Sequence, residues 1–528
     1  MTEKDVAEQY WDVIVVGSGM GGATAAHSLV GDGYKVLVLE KGQAHFSNED
    51  HKNYLNEENT DERLKHAAWP EKITADVGGV ESRFFPLIGC GAGGSTLRYA
   101  AALERFGVES FNLKSEGEQS DTSWPISYEA LEVYYEKAEQ LYRVHGTKDP
   151  LDDNNNNTLL TPAKMSECDT HLFSSFKALG LNPYRLHVGI EYKDNCEECL
   201  GYICNQSCKS DANKICLEPA IKTGNLTLLD RCDVQRLSAS ENKINEVLCS
   251  REGKQMKFRG RVVIMAAGAY FTPVLLQNST NQFWPNGIGN QFDMVGRNLM
   301  FHISDFIAVW PRGKYSRKGP GKTISLRDFY FYKGKSLGVF QSTGMKAEYG
   351  NVVYTLKMQF DRSWWRWFKP IRPFLRVPAY LASLLFGSAS IFATVMEDFP
   401  YFNNRVIADK NEPSGMRFKY IVHEELKERI QLFRQLLKSR LLPHRTLLMG
   451  GEISLNYAHP CGTCRMGLNP KTSVVDENCK VHGVNNLYVV DASFMPTSGG
   501  VNPGLTIAAN ALRVSEFISL QLKKEILS

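Results

Sequence analysis

Three glycines and one acid supply the first chemistry that can be read from the chain. Gly17-Ser18-Gly19-Met20-Gly21-Gly22 carries the pattern G-x-G-x-x-G at Gly17, Gly19 and Gly22, and Glu40 ends the next apolar run. The first glycine permits a tight turn, the second lets a pyrophosphate approach bare backbone, and the third lets a helix pack on a strand. The free N–H groups of the following helix then face the phosphates, and the Glu40 carboxylate is placed to accept hydrogen bonds from ribose hydroxyls. An acid at this point, where an arginine would take a 2′-phosphate, disfavours NADP; the unit by itself leaves FAD and NAD open. A second group is the thiols. Six of the twelve cysteines fall between Cys196 and Cys232, and Cys196, Cys199, Cys204 and Cys208 follow Cys-x₂-Cys-x₄-Cys-x₃-Cys. That density suits zinc or an iron–sulfur cluster. No proline follows Cys208, however, and the spacing departs from ferredoxin runs, so the expectation is free thiols in a surface loop and no metal.

The elements that position the glycines are legible around them. Trp11-Asp12-Val13-Ile14-Val15-Val16 is a short apolar, β-branched run of the buried-strand type. Ala23 to Leu29 continues the glycine turn as a helical pattern, and Val36-Leu37-Val38-Leu39 forms a second strand before Glu40. Strand, glycine turn, helix, strand and acid occur in the order a dinucleotide unit requires. A third buried run, Arg261 to Ala267, ends at Gly268 and opens a helical segment in which Pro273 is expected within the first turn. Gly89-Cys90-Gly91-Ala92-Gly93-Gly94-Ser95-Thr96 is a further glycine-rich stretch able to lie against a flat ring or a phosphate.

Composition narrows the classes. At 43% hydrophobic and 23% charged residues the chain has ample core material, which excludes global disorder. Lys+Arg 61 against Asp+Glu 58 leaves a net charge of +3, so no whole-chain field attracts nucleic acid. Met1-Thr2-Glu3-Lys4-Asp5 shows neither a basic n-region with an apolar run nor a twin arginine, and the expected location is the reducing cytoplasm.

Taken together, the motifs resemble the glucose–methanol–choline family of flavin oxidoreductases over nearly the whole chain. The dinucleotide unit, Gly93-Gly94-Ser95-Thr96, Gly268-Ala269 through Thr272-Pro273, Val295-Gly296-Arg297-Asn298-Leu299 with His302, and a C-terminal His/Asn segment occur in family order. The resemblance implies an α/β fold, α+β overall, in which a Rossmann-like FAD-binding domain (1–110, 225–300 and 450–528) interleaves with a substrate domain (111–224 and 301–449) built on an antiparallel sheet. It implies FAD, held by Gly17, Gly19, Gly22, Glu40, Gly93, Gly94, Ser95, Val234, Gly268, Asp491, Asn502 and Pro503. The family often has asparagine where this chain has Tyr99, and no histidine matches its covalent flavin attachment, so FAD is expected to bind non-covalently.

The same resemblance maps the catalytic pair onto His459 and Asn502. Oxidising an alcohol removes a hydroxyl proton and a hydride from one carbon. A neutral imidazole takes the proton as general base, and the Asn502 amide donates to the oxygen as charge develops. The hydride acceptor is the flavin. His302 is expected to support the fold near the domain junction. The implied activity is FAD-dependent oxidation of a primary or secondary alcohol to an aldehyde or ketone, with O₂ or a quinone or protein as electron acceptor. The alternatives are a membrane-associated dehydrogenase of a sugar or polyol and a non-redox flavoprotein lyase.

One stretch concerns the substrate. Arg362 to Arg376 holds five positive charges, no acids and three of the eight tryptophans, and Val377 to Met396 follows with twenty uncharged residues. The length is that of a membrane span, but Pro378, Gly387 and four hydroxyl residues argue against one. A basic, Trp-rich flank suits shallow docking on anionic lipid, so residues 362–390 are expected to meet a membrane surface and the substrate to be lipophilic. Packing of the same segment onto the protein as a lid is the competing reading.

Overall fold

The computed structural model describes residues 3–44, 57–115, 117–152, 158–345, 367–378 and 386–527, together with Val353, Leu356, Lys357, Phe360 and Tyr380. Arg362–Arg366 and Leu381–Leu385, part of the predicted membrane-facing stretch, lie outside the described residues.

The apolar runs near the start form a parallel sheet. Strand Tyr10–Val16 lies between Val36–Leu39 and Lys254–Met265, in register Val13↔Val36 and Val13↔Val262. Leu226–Leu229 extends the sheet beyond Val36–Leu39, and Leu487–Val489 closes it against Val263–Met265. Val13, Ile14, Val15, Val36, Leu37 and Val38 are fully buried, which is why these strands read as unbroken apolar runs with no alternation. Lys254–Met265 is long enough to serve twice. Its first half pairs antiparallel with Ile244–Arg251, which pairs antiparallel with Cys232–Ala239; its second half joins the parallel set.

Helix Met20–Gly31 springs from the glycine turn and packs against the C-terminal helix Gly504–Leu527. Helix Gly268–Asn278 starts directly off the third strand because Gly268 takes φ +83°. Pro273 therefore sits beyond the first turn, later than its sequence position predicts. The carbonyl it leaves unserved, Ala269 O, accepts the Thr463 hydroxyl at 2.7 Å instead.

A second, eight-stranded sheet is antiparallel. Its main path runs Arg445–Leu448, Phe306–Trp310, Ser390–Met396, Gly338–Ser342, Ile324–Leu326 and Tyr184–Arg185. Met300–Ile303 joins it at Met396 and pairs with Leu455–Cys461, the strand that carries His459. Most of the side chains of Ser390–Met396 and Gly338–Ser342 are buried on both faces. The last seven residues of the twenty-residue uncharged run are thus a core strand. A four-stranded sheet joins the hairpin Ile73–Phe84 to Arg405–Ala408 and Met416–Tyr420. Among the described residues no helix is long and apolar enough to cross a membrane.

Candidate active site

The glycine turn is built by close approach. Gly17 holds φ +93°, and a Cβ there would lie 2.4 Å from Ala266 O. One at Gly22 would lie 2.1 Å from Gly17 O, and one at Gly21 2.1 Å from Val490 O. Gly19 and Gly268 look the other way: an added Cβ meets only Gly94 Cα at 4.0 Å in the first case and nothing within 4 Å in the second. Glycines packed on one side and open on the other make a cradle of bare backbone. Gly93 (φ +106°) and Gly94 (φ +55°) bring the second glycine segment to the same place, where a Cβ on Gly94 would touch Gly19 Cα at 2.7 Å.

Ser18 joins the two loops. Its N–H and hydroxyl donate to Glu40 Oε2 at 3.0 and 2.6 Å, and its oxygen accepts Gly93 N–H at 3.2 Å. Glu40 Oε1 accepts Gly42 N–H at 2.8 Å. Burial raises the Glu40 pKa against these donors, which lower it. Ser95 is exposed, and its hydroxyl accepts Gly89 N–H at 3.0 Å. Val234 is buried on the strand whose first residue, Cys232, donates to Glu40 O at 2.8 Å. Asp491 follows the closing strand. Its Oδ2 accepts Gly268 N–H at 2.9 Å and the Thr272 hydroxyl, and its Oδ1 accepts Ser493 N–H at 2.9 Å. Burial raises its pKa too, again opposed by these hydrogen bonds. Tyr99 turns away to donate to Ser210 O at 2.6 Å.

The His/Asn pair stands where the antiparallel sheet meets the entrance of the last helix. His459 lies in a strand immediately before Pro460, where the preceding residue is biased toward extended backbone. Its half-buried ring meets His302 edge-on at 5.1 Å between centroids. His302 is fully buried and bonds Gly499 O through Nε2 at 3.0 Å, so it ties the His459 strand to the loop that carries Asn502. Burial, and then the like charge of His302, hold the His459 pKa down to about 3; burial likewise holds His302 down to about 4. Both rings are therefore neutral near pH 7. Asn456 Oδ1 accepts Ala458 N–H at 3.1 Å, which turns its amide nitrogen toward Ser304 Oγ (3.2 Å) and His459 Nδ1 (3.3 Å). Asn502 Oδ1 accepts Gln341 Nε2 at 2.8 Å, so its own amide N–H₂ is the end left for another acceptor. Pro503 is buried beside it and precedes Gly504 at the head of the last helix.

Models of the GMC oxidoreductase N- and C-terminal regions match residues 126–304 and 445–511, and an FAD-binding model matches residues 12–49. The chain belongs to the GMC oxidoreductase family. It is 28% identical to a 6‴-hydroxyparomomycin C oxidase of Streptomyces lividus, over 98% of this chain and 93% of that one. It is 27% identical to a 2-methyl-1,2-propanediol dehydrogenase of Mycolicibacterium austroafricanum, over 96% and 95%. In fold it is similar to a solved pyridoxine 4-oxidase from Mesorbium loti, with TM-score 0.62, 17% identity, and 96% and 99% coverage. Like its family, this GMC chain is an FAD-dependent oxidoreductase acting on CH–OH groups, with a small-molecule alcohol as substrate.

The residues present suit FAD. The cradle is backbone open on one side, Glu40 is a buried carboxylate at the strand end, and Gly268 and Ser95 face unfilled space. Among the described residues no three His, Cys, Asp or Glu side chains are grouped to hold a metal. Several contacts of this GMC site escape sequence reasoning. Ser18 occupies a position the glycine pattern leaves unspecified. Gln341 reaches Asn502 from 161 residues away, and Asn456 reaches His459 from three residues back on the same strand. Glu397 and Asp398, both fully buried, accept Gly499 N–H at 3.1 Å and Phe301 N–H at 3.0 Å behind the same loop, and burial pushes each up to about 7.

Proposed function

We propose that this enzyme oxidises a lipophilic primary or secondary alcohol, with His459 as general base and Asn502 as the donor to the developing alkoxide. The supporting observation is the division of labour around those two side chains. Gln341 occupies the Asn502 oxygen and leaves its N–H₂ to donate, while burial holds the His459 pKa down to about 3, so its ring is neutral near pH 7. For Nε2 to accept the substrate's proton, the neutral ring must hold its own hydrogen on Nδ1. In the structure the Asn456 amide nitrogen faces Nδ1 and donates to it, so Nδ1 holds the hydrogen only when that amide turns over, giving up its Ala458 N–H bond to present Oδ1 there. Asn456 thus positions the ring, and the orientation of its amide sets which nitrogen is free. FAD, bound without a covalent link, supplies the hydride acceptor.

The lipophilic substrate is supported by the surface. Trp367, Phe374 and Val377 are 77%, 70% and 62% exposed, on a segment that also presents Arg372 and Arg376. Such a mixture of large apolar and basic side chains suits the interfacial region of an anionic bilayer. The names of the two curated relatives, an aminocyclitol-antibiotic oxidase and a short diol dehydrogenase, favour a second reading in which the substrate is a polyol. Anaerobic flavin bleaching by alcohols of increasing chain length, run beside a sugar and a diol, tests both. Rates rising with chain length support the first reading. Bleaching by the polyols alone replaces it, and no bleaching by any alcohol removes the redox proposal. Peroxide release under air then separates O₂ from a quinone or protein acceptor.

A further inference from the structure

Glu397 and Asp398 follow directly on the core strand Ser390–Met396, and no step assigned so far uses them. Both are fully buried, and taking two adjacent carboxyl groups out of water is costly unless hydrogen bonds offset it. Arg429, also fully buried, turns to Glu425 through Nε and to backbone through Nη1, which donates to Glu397 O (2.6 Å) and Ser336 O (3.0 Å). That fixes the Glu397 backbone and leaves the carboxyl groups to other donors. Glu397 Oε1 accepts Gly499 N–H at 3.1 Å, and Oε2 accepts the Ser336 hydroxyl. Asp398 Oδ2 accepts Phe301 N–H at 3.0 Å and the Tyr420 hydroxyl at 2.8 Å. Phe301 precedes His302, whose Nε2 bonds Gly499 O at 3.0 Å. The circuit closes: one dipeptide grips Gly499 with its first side chain and the His302 strand with its second.

The loop it grips has little slack. Asp398 N–H donates to Ser498 Oγ at 2.8 Å, and the Ser498 hydroxyl donates to Asp398 O at 3.0 Å. Gly500 N–H donates to Tyr330 Oη at 3.2 Å, and Gly500 O accepts Val339 N–H at 3.0 Å. Gly499 takes φ +68°, and a Cβ there would lie 2.6 Å from the Phe106 ring. Asn502 stands three residues on. Its amide and His459 can meet one substrate oxygen only while the Gly499 loop and the His302 strand keep their separation. An error of about 1 Å in such a pair costs about 10²-fold in rate.

We propose that Glu397 and Asp398 are positioning residues for the alcohol oxidation, setting the distance between the Asn502 donor and the His459 base. The inference rests on the roles proposed above for those two side chains. Neither acid is asked to touch the substrate or to move a proton. Glu397 acts on Asn502 through the Gly499 N–H, and Asp398 acts on His459 through Phe301 and His302. Leucine at 397 keeps the bulk but offers Gly499 no acceptor, so the loop relaxes and the Asn502 amide leaves its line. Glutamine keeps an oxygen for that N–H.

The test is a double-mutant cycle in anaerobic stopped-flow flavin reduction, using FAD-loaded protein and the fastest alcohol of the chain-length series. Glu397→Leu should lower the limiting rate by about 10–10²-fold, with the Kd for the alcohol and the FAD content unchanged. Glu397→Gln should restore most of that rate. Glu397→Leu combined with Asn502→Ala should be no slower than Asn502→Ala alone, because the donor that Glu397 positions is already gone. A Glu397→Leu rate equal to the parent's, a loss confined to Kd or FAD content, or losses that multiply in the double variant overturn the proposal. An Asn502→Ala enzyme as fast as the parent instead removes the donor assignment beneath it, and a parent that no alcohol bleaches removes both. If Glu397→Leu fails to fold, Glu397→Asp, one methylene short of Gly499 N–H, takes its place in the same cycle.

Discussion

Replacing Asn456 by aspartate should move the acid limb of the reaction into view. Protonated His459 has no lone pair to act as base, so turnover falls as pH drops through its pKa, which burial and His302 hold at about 3. The parent enzyme should therefore show no limb between pH 5 and 8 in the rate of anaerobic flavin reduction. Asn456→Asp would place a carboxylate where an amide nitrogen now stands, 3.3 Å from His459 Nδ1. An opposite charge at that range favours the protonated ring by roughly 1–3 pK units, which carries the limb up to about 4–6. The same carboxylate accepts the Nδ1 hydrogen and leaves Nε2 free, so at pH 8, where both proteins hold a neutral ring, the variant should stay within about tenfold of the parent. Asn456→Leu removes the amide from Nδ1. It should leave the limb unmoved while costing about 1 kcal/mol, roughly a fivefold loss of rate. Stopped-flow bleaching with one saturating alcohol from pH 4 to 9 reads all three proteins. A parent limb between pH 6 and 7, or a limb that does not move in Asn456→Asp, would refute the reasoning.

His459→Ala should keep FAD bound but slow flavin reduction by about 10²–10⁴-fold, read in the same stopped-flow assay. Gly22→Val should yield protein without FAD, because even its Cβ lies 2.1 Å from Gly17 O; Gly31→Ala, whose Cβ meets nothing, should purify yellow. Thr463→Val strands the Ala269 carbonyl above Pro273 and should cost about 1–3 kcal/mol in denaturant unfolding. Glu397 has a folded pKa raised from 4.5 to about 7, so its contribution to stability is full below pH 4.5 and fades as pH rises to 7; Glu397→Gln should remove that decline, up to about 3 kcal/mol between pH 5 and 8. Phe374→Ser with Trp367→Ser should weaken cosedimentation with anionic liposomes at low salt, and equal binding by parent and variant removes this surface as the membrane contact.

What the sequence makes legible is what is local. The strand–turn–helix–strand–acid unit from Tyr10 to Glu40 needs only neighbouring residues to specify it, and it stands in the structure as read. His459 and Asn502 are found by motif, and the structure ties the segments carrying them together through His302 and Gly499. Gln341 and Ser18 leave no trace, since nothing in their own neighbourhoods fixes a partner 161 residues away or an unspecified slot in a turn, and Asn456, though only three residues from His459, belongs to no motif that names it. Continuous burial misleads in the other direction. The uncharged run before Met396 ends in Ser390–Met396, a central strand covered on both faces, which accounts for its last seven residues. Pro273 sits deeper in its helix than its sequence position implies, since Gly268 starts that helix without a preceding loop.

The parallel sheet also constrains when the enzyme can first hold its cofactor. The carbonyl that closes over Gly21 belongs to Val490, and the strand before it, Leu487–Val489, is the outermost of the parallel set. About 450 residues separate it from Leu39, which at roughly 5–20 residues per second is about 20–90 s of synthesis. Throughout that interval the sheet lacks Leu487–Val489, and until Lys254–Met265 is made the first strand has no neighbour on that side. A growing chain therefore cannot trap FAD as it emerges from the ribosome. The nascent protein must wait as an apoprotein with exposed sheet edges, and its yield in a cell should depend on chaperone supply before it depends on flavin supply.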